Sequence, residues 1–353
     1  MAGSPASDPR LPASDAQEPF LPRAGSLPPV VAFLARRLAQ GVVLLVLVSM
    51  LIFAATNVLP GDVAQTVLGK QATRANVARL DAKLGLNRPL PERYGSWMSD
   101  AVHGDFGRSA VAVAENNLGD SSVGTIIGVP LRNSAILALL ALAVILPLSV
   151  LLGTIAGVRA GSGLDYAISY PALLLGAFPE FVLGIALIAV FFTALGWLVP
   201  VALVPPGSTP LSNPTSLILP IMTLAGVSVG WAARQVRAGM AEVMQRDYVM
   251  MARLAGIPER RVLLKFALRN ALATTVQVQA QIVQYLLGGI VVVEVLFSYP
   301  GVGNLLDQSV QARDTTVVAA IGLILAAAYI LINIIADLVV VLLVPKLRTS
   351  VLA

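Results

Sequence analysis

The chain has 353 residues, of which 57% are hydrophobic and 12% charged, with a net charge of +5 and a mean hydropathy of +0.82. Soluble domains run at about 45–50% apolar and about 25% charged, so too little polar surface is present to cover a water-soluble globule of this size. The absence of cysteine excludes disulfides, thiol catalysis and sulfur-ligated metals, and a single His103 cannot build a His-rich metal site.

The charges are clustered. Leu38–Gly61, Asn133–Val158, Phe181–Ala233 and Thr315–Ala336 contain no Asp, Glu, Lys or Arg. Each reaches the length of about 20 residues that a helix needs to cross a hydrocarbon core of about 30 Å. The basic residues flank these runs, so the positive charge reads as membrane topology and no nucleic-acid partner is expected. The chain is an all-α membrane protein with six transmembrane helices.

Residues 1–29 carry seven prolines among Ser, Ala and Asp and read as a disordered cytoplasmic tail. The first transmembrane helix occupies 30–59, its apolar run being Leu38–Leu59 behind Arg36 and Arg37. A polar stretch, 60–132, separates it from a five-helix core over 133–348. The core spans are predicted at Asn133–Val158, Tyr166–Trp197, Ser216–Ala233, Leu272–Phe297 and Thr315–Val344, the second of these long enough to be kinked. Pro200, Pro205, Pro206 and Pro210 make Leu198–Leu203 part of a connecting loop. With six alternating spans, Arg36/Arg37, Arg159, Arg234–Arg269 and Lys346/Arg348 fall on one side, and Arg234–Arg269 alone holds eight basic and three acidic residues. That side is the cytoplasm, both termini lie in it, and 60–132 is a sizeable extracytoplasmic region between helices 1 and 2.

No G-x-x-x-x-G-K-[ST] sequence is present, so the chain has no P-loop phosphate cradle. No acid/base or nucleophile constellation stands out, and an enzyme is not indicated. The most informative polar segment is Gly239–Ala273. Met240, Val243, Met244, Tyr248, Met251 and Ala255 recur at helical spacing, with Glu242, Gln245, Arg246 and Arg253 on the other side. Gly256 sits where a helix terminus needs positive φ, and Pro258 where the next helix tolerates a missing N–H. A basic helix over Glu259–Ala271 then enters the fifth span. A helix–Gly–helix too short to form a domain needs either a partner or anionic lipid to cover its apolar stripe.

Tyr248-Val249-Met250-Met251-Ala252-Arg253-Leu254-Ala255-Gly256, followed by Pro258-Glu259-Arg260-Arg261-Val262-Leu263 and Ala267-Leu268-Arg269-Asn270-Ala271, resembles the EAA loop of ABC importer permeases. Met250 and Met251 replace the general Glu-Ala of that loop, and Ala273 stands where proline is common. Leu59-Pro60-Gly61-Asp62, Leu84-Gly85-Leu86-Asn87-Arg88-Pro89-Leu90-Pro91 with Tyr94 and Trp97, Gly104-Asp105-Phe106-Gly107-Arg108-Ser109, and Val293-Glu294 through Tyr299-Pro300-Gly301-Val302-Gly303 follow in register. Together they resemble the permease subunit of dipeptide/oligopeptide/nickel ABC importers over roughly residues 34–348.

The resemblance implies a MetI-like permease fold in a bacterial inner membrane, paired with a homologous permease subunit. It also implies two cytoplasmic ABC ATPase subunits, which would hold the ATP and Mg, and an extracytoplasmic substrate-binding protein. This chain itself would carry no cofactor. The ATPase coupling loop would comprise Tyr248, Ala252, Ala255, Gly256, Ile257, Pro258, Glu259 and Arg260. Short peptides are the implied substrate, with nickel chelates, haem or glycans as alternatives on the same scaffold. A secondary transporter is the rival from another class, but it calls for ion-coupling carboxylates or inverted repeats.

Within the spans, Gln277, Gln281 and Gln284 share one face of the fifth helix at i, i+4 and i+7, while Gln279 points elsewhere. Amides are costly against lipid, so this stripe is read as lining a translocation pathway, with interhelical hydrogen bonding as the competing reading. Glu180, after Pro179, reads as the one acid deep in an apolar run; it faces the bundle interior or a wet cavity and is counted with the pathway residues, with an ion-pair or structural role as the equal alternative to substrate contact. Asn333 and Asp337 are read as packing or capping groups.

Overall fold

Without water to hydrogen-bond it, a membrane-spanning backbone must satisfy its own polar groups, and helices do this segment by segment. The computed structural model describes residues 29–58, 68–69, 72–85, 87–114, 121–202, 204–205 and 207–343. Among them there is no strand, only an isolated bridge between Arg108 and Ser122. The proline-rich tail up to residue 28, Leu59-Pro60-Gly61-Asp62, Lys346 and Arg348 lie outside the described residues.

The long helices are α1 (Pro29–Val58), α5 (Val123–Val158), α8 (Thr215–Met244), α10 (Leu268–Leu296) and α12 (Thr315–Leu343). Shorter α2 (Arg74–Leu84), α3 (Leu90–Val102) and α4 (Ala110–Ala114) lie between α1 and α5. Helices α6 (Gly163–Leu175) and α7 (Glu180–Ile188, continued by a π-helical turn Ala189–Ala194) follow α5. Beyond the bundle lie α9 (Asp247–Leu254) and α11 (Val302–Gln311).

Five of these helices are long and apolar enough to cross a membrane, or six spans if α6 and α7 count as one. The third span, read as long enough to be kinked, is sharply broken. It is two helices bent by 102°, because Gly176 and Pro179 interrupt the backbone ladder between Leu175 and Glu180. The second helix also starts earlier than Asn133: α5 runs from Val123 and absorbs Pro130 and Pro147 within its length.

The core sits where α5, α8 and α10 meet. Leu137, Ala141 and Ile145 of α5 pack with Leu224, Ala232 and Val236 of α8 and with Val278, Ile282, Leu286, Ile290 and Val293 of α10. The contact of α5 with α8 is close because small residues face it. A Cβ at Gly153 would lie 2.6 Å from the Ala233 carbonyl oxygen, and one at Gly157 2.8 Å from that of Arg237. Helix α1 packs chiefly on α12, and its other flank exposes Val42, Val43 and Leu51, as a lipid-facing helix does.

At the end of the bundle where α5 begins, α3 is fastened to α1 by an aromatic cluster. Phe53 meets Tyr94 edge-on at 5.4 Å and Trp97 at 5.8 Å, and the Ser49 and Tyr94 hydroxyls share a 2.9 Å hydrogen bond. Buried Asp314 caps α12, accepting from the Val317 N–H at 3.3 Å, and reaches across to the Ser109 hydroxyl and the Ala110 N–H.

Replacing Gly153 by Leu is expected to cost about 1–3 kcal/mol through overpacking of the α5–α8 contact. Gly128→Leu on the same helix, where nothing lies within 4 Å, is expected to leave stability unchanged. Thermal unfolding of the two purified variants in detergent checks the pair, and equal melting temperatures would refute the close-contact account.

Candidate functional site

The segment after α8 departs from the single amphipathic helix that the spacing predicts. The chain breaks at Gln245–Arg246, where Arg246 adopts extended backbone (φ −73, ψ 144), and the helical phase is reset. Met240, Val243 and Met244 therefore do not share a face with Tyr248, Met251 and Ala255. The first three belong to α8 and pack inward near Ala267 and Ala271. On α9 the inward residues are Val249 and Ala252, which cluster with Met244, Ile257 and Val262. Outward it exposes Asp247 and Arg253 but also a group of apolar residues: Met250, Met251 and Leu254 are 62%, 65% and 72% exposed, and Tyr248 and Ala255 are exposed beside them.

Gly256 closes α9 with φ +71. Its N–H bonds the Arg253 carbonyl at 3.0 Å and the Ile257 N–H bonds that of Ala252 at 3.2 Å, the paired bonds of a Schellman turn. Ile257 then packs back against Ala252, which fixes the exit direction of the chain. Across this turn Arg253 holds Glu259 with two hydrogen bonds, at 2.6 and 3.1 Å. That guanidinium depresses the Glu259 carboxyl below its usual range. The clamp is accordingly intact at neutral pH and is lost only as acid protonates Glu259 through that lowered value. From Pro258, a helical turn Glu259–Arg261 and a π-helical segment Val262–Ala267 lead into α10. Pro258, Glu259 and Arg260 stay exposed, so the loop presents one surface from Tyr248 to Arg260.

Within the bundle, Gln281 and Gln284 line a hollow of about 430 Å³ together with Trp231, Tyr285 and Tyr329. Glu180, the first residue of α7, accepts a hydrogen bond from the Tyr285 hydroxyl and so sits behind that wall without lining the hollow itself. Gln277 is exposed on the same stripe of α10 but lies outside that hollow. Gln279 faces α5 instead, where its amide nitrogen donates to the Ser149 hydroxyl at 3.1 Å.

Glu180 is not the one deeply placed acid. Glu294 on α10 is fully buried, and its carboxylate accepts from the Gly303 N–H at 2.6 Å. The Ser134 hydroxyl takes the Val302 N–H at 2.8 Å, so the first turn of α11 is capped from two other helices. Asn133 donates to the Pro300 carbonyl at 2.9 Å and receives the Tyr299 hydroxyl on its own carbonyl at 2.7 Å. A side chain at Gly301 would overlap the Glu294 carboxylate. The signal was present in the sequence, since Glu294 stands inside an apolar run just before Tyr299-Pro300-Gly301.

Asp165 is a second group that spacing does not reveal. It is fully buried at the start of α6 and makes a two-armed ion pair with Arg237 of α8, at 2.5 Å on both arms. The Gly161 N–H and the Ser169 hydroxyl complete its shell at 2.8 and 2.9 Å. Asp337 pairs with Arg37 at 3.1 Å, joining α12 to α1, and the Asn333 amide bonds the Tyr329 carbonyl at 2.8 Å. Among the described residues no cluster of His, Cys, Asp or Glu has metal-site geometry.

The long apolar helices make this a membrane-embedded protein, and the amide- and aromatic-lined hollow lies open on the flank of its bundle, where Tyr285 and Tyr329 are exposed. The chain belongs to the family described as the binding-protein-dependent transport system inner membrane component, which it matches over residues 149–349, with the N-terminal membrane component of such systems matched over 30–124. It is 35% identical over 319 residues to a putative peptide transport system permease protein of Brucella abortus, covering 90% of this chain and 99% of that protein. It is 30% identical over 327 residues to the oligopeptide transport system permease AppB of Bacillus subtilis, covering 90% of this chain and all of that protein. A probable peptide ABC transporter permease of Sinorhizobium fredii is similar at 30% over 321 residues, covering 90% of this chain and 99% of that protein.

Introduced cysteines at Gln277 and Gln281 are expected to react with a water-soluble maleimide, whereas one at Ile282, which is 1% exposed, is expected to stay unlabelled. The chain has no cysteine of its own, so mass-spectrometric labelling reads these sites alone. Labelling at residue 282 equal to that at 281 would contradict the placement of the stripe.

Proposed function

We propose that the chain is the permease subunit of an ATP-driven importer of short peptides and forms the translocation pathway with a homologous permease subunit. The relatives named for peptide transport support the substrate class. The hollow supports it chemically, because amides and aromatic rings offer a peptide uncharged hydrogen-bonding and stacking partners without selecting one charge class. In this reading Gln277, Gln281, Gln284 and Glu180 face the route. Two cytoplasmic ATPases bind ATP and Mg, and a substrate-binding protein delivers the cargo on the other side, next to residues 60–132. In this reading both termini lie in the cytoplasm of a bacterial cell, which the basic bias of the short loops supports.

One observation carries the coupling role: α9 is held rigidly by its inward face while Tyr248, Met250, Met251, Leu254 and Ala255 lie uncovered. An apolar face outside the membrane calls for a partner, and a groove on the ATPase receives it. ATPase closure then pushes on α9. The push reaches α8 through Met244 and α10 through Val262, which share the cluster beneath α9. The Arg237–Asp165 pair passes it from α8 to α6. Displacement of α6 and α10 opens the hollow outward, and nucleotide release returns it inward.

A Cβ at Gly256 would meet nothing within 4 Å, so Gly256→Val acts through backbone strain alone, costing about 1 kcal/mol or more. Binding-protein-stimulated ATP hydrolysis in proteoliposomes is expected to fall in this variant, and in Met251→Asp, while both chains still insert. Unchanged stimulation in Met251→Asp would sink the docking role.

A further inference from the structure

At the end of the bundle opposite α9 lies a cavity of about 480 Å³, within the range of about 300–1,000 Å³ typical of small-ligand sites. Its walls come from the last turns of α1, the α2–α3 turn, α3 and the first turns of α12. Lys83, Arg88, Arg93 and Arg108 line it, against Asp100. Among the described residues no ion pair is seen for Lys83, Arg88 or Arg108. A concave site lined by several cations suits an acceptor-rich anion.

The position of the cavity selects the kind of anion. Phe53 and Thr56 of α1, and Thr315 and Thr316 of α12, place it where two spans leave the membrane. The Arg93 guanidinium lies over the Phe53 ring, 6.0 Å from its centre. One and two turns below Phe53 on α1, Met50 and Leu47 are 52% and 58% exposed. This leaves an apolar track leading away from the cations. The geometry points to a binding site for the phosphodiester headgroup of an anionic phospholipid, its acyl chains running down α1 past Met50 and Leu47. The bound lipid bridges α1, α3 and α12 and steadies the otherwise peripheral α1. A free phosphate shares the headgroup chemistry but has no use for the apolar track.

The test uses the full chain purified with its partner subunits in mild detergent, delipidated and titrated in parallel with dioleoyl phosphatidylglycerol, dioleoyl phosphatidylcholine and inorganic phosphate. Native mass spectrometry reads retained lipid. The wild type is expected to retain phosphatidylglycerol in preference to phosphatidylcholine. Removing two of the cations in Lys83→Gln/Arg88→Gln is expected to weaken that retention about tenfold or more. The charge-matched pair Arg74→Gln/Arg79→Gln, on α2 outside the cavity, is expected to keep it. A wild type that does not distinguish the two lipids overturns the proposal whatever the variants do. So does undiminished retention in Lys83→Gln/Arg88→Gln. Displacement of phosphatidylglycerol by millimolar inorganic phosphate assigns the cavity to a free anion and overturns the lipid.

Discussion

Every backbone amide that leaves a helix inside or beside the membrane must find another partner, and this structure is organised around how that is done. Helices satisfy their own ladders, so the informative places are the breaks. At 255–257 the freed carbonyls are taken by the Gly256 and Ile257 amides. At 297–303 the donors of α11 are taken by Glu294 and Ser134, brought in from α10 and α5. At 313–317 the carboxylate of Asp314 accepts from the start of α12 while also holding Ser109. Each break is closed by a neighbouring helix or a tight local turn, which makes it a joint of fixed direction.

Three fully or nearly fully buried carboxylates, Asp165, Glu294 and Asp314, serve these joints. Burial of such groups is costly unless donors surround them: Asp165 and Asp314 each have donors from more than one element, while Glu294 takes the Gly303 N–H on one oxygen and leaves the other without a partner. Their benefit is positional: an acid that needs two or three particular partners admits one arrangement of the helices that supply them. Asp165 fixes α6 against α8, Glu294 fixes α11 against α10, and Asp314 fixes α12 against the segment before α4. The small-residue contact of α5 with α8 supplies the stiff centre between them.

That arrangement separates the rigid from the adaptable parts of the molecule. Helix α8 runs from the hollow to the base of α9 and contacts α5, α6, α7 and α10, so a displacement at one end is transmitted along a single 30-residue element. Helix α1 instead touches chiefly α12 and the aromatic patch of α3. Its broad flank is apolar and exposed in the single chain.

The sequence by itself determined the membrane class, the approximate positions of the long helices and the Gly256 break. These follow from charge-free length and from local backbone preference, and neither depends on a distant residue. It also placed Gln277, Gln281 and Gln284 on one face, because helical periodicity is local. Only the tertiary structure decided the rest. The length of the third span left room for a kink, but the 102° angle between α6 and α7 was not legible, since hydropathy carries no direction. The reset at Arg246, which turned Met251 outward and left Met240 inward, depends on a backbone angle that an amphipathic count averages over. The pairing of Asp165 with Arg237, of Glu294 with the start of α11, and of Glu180 with Tyr285 joins residues distant in the chain or on different helices. The cost of leaving a charge or an amide unpaired is local, but the partner that removes it is supplied by packing, and packing exists only once the chain has folded.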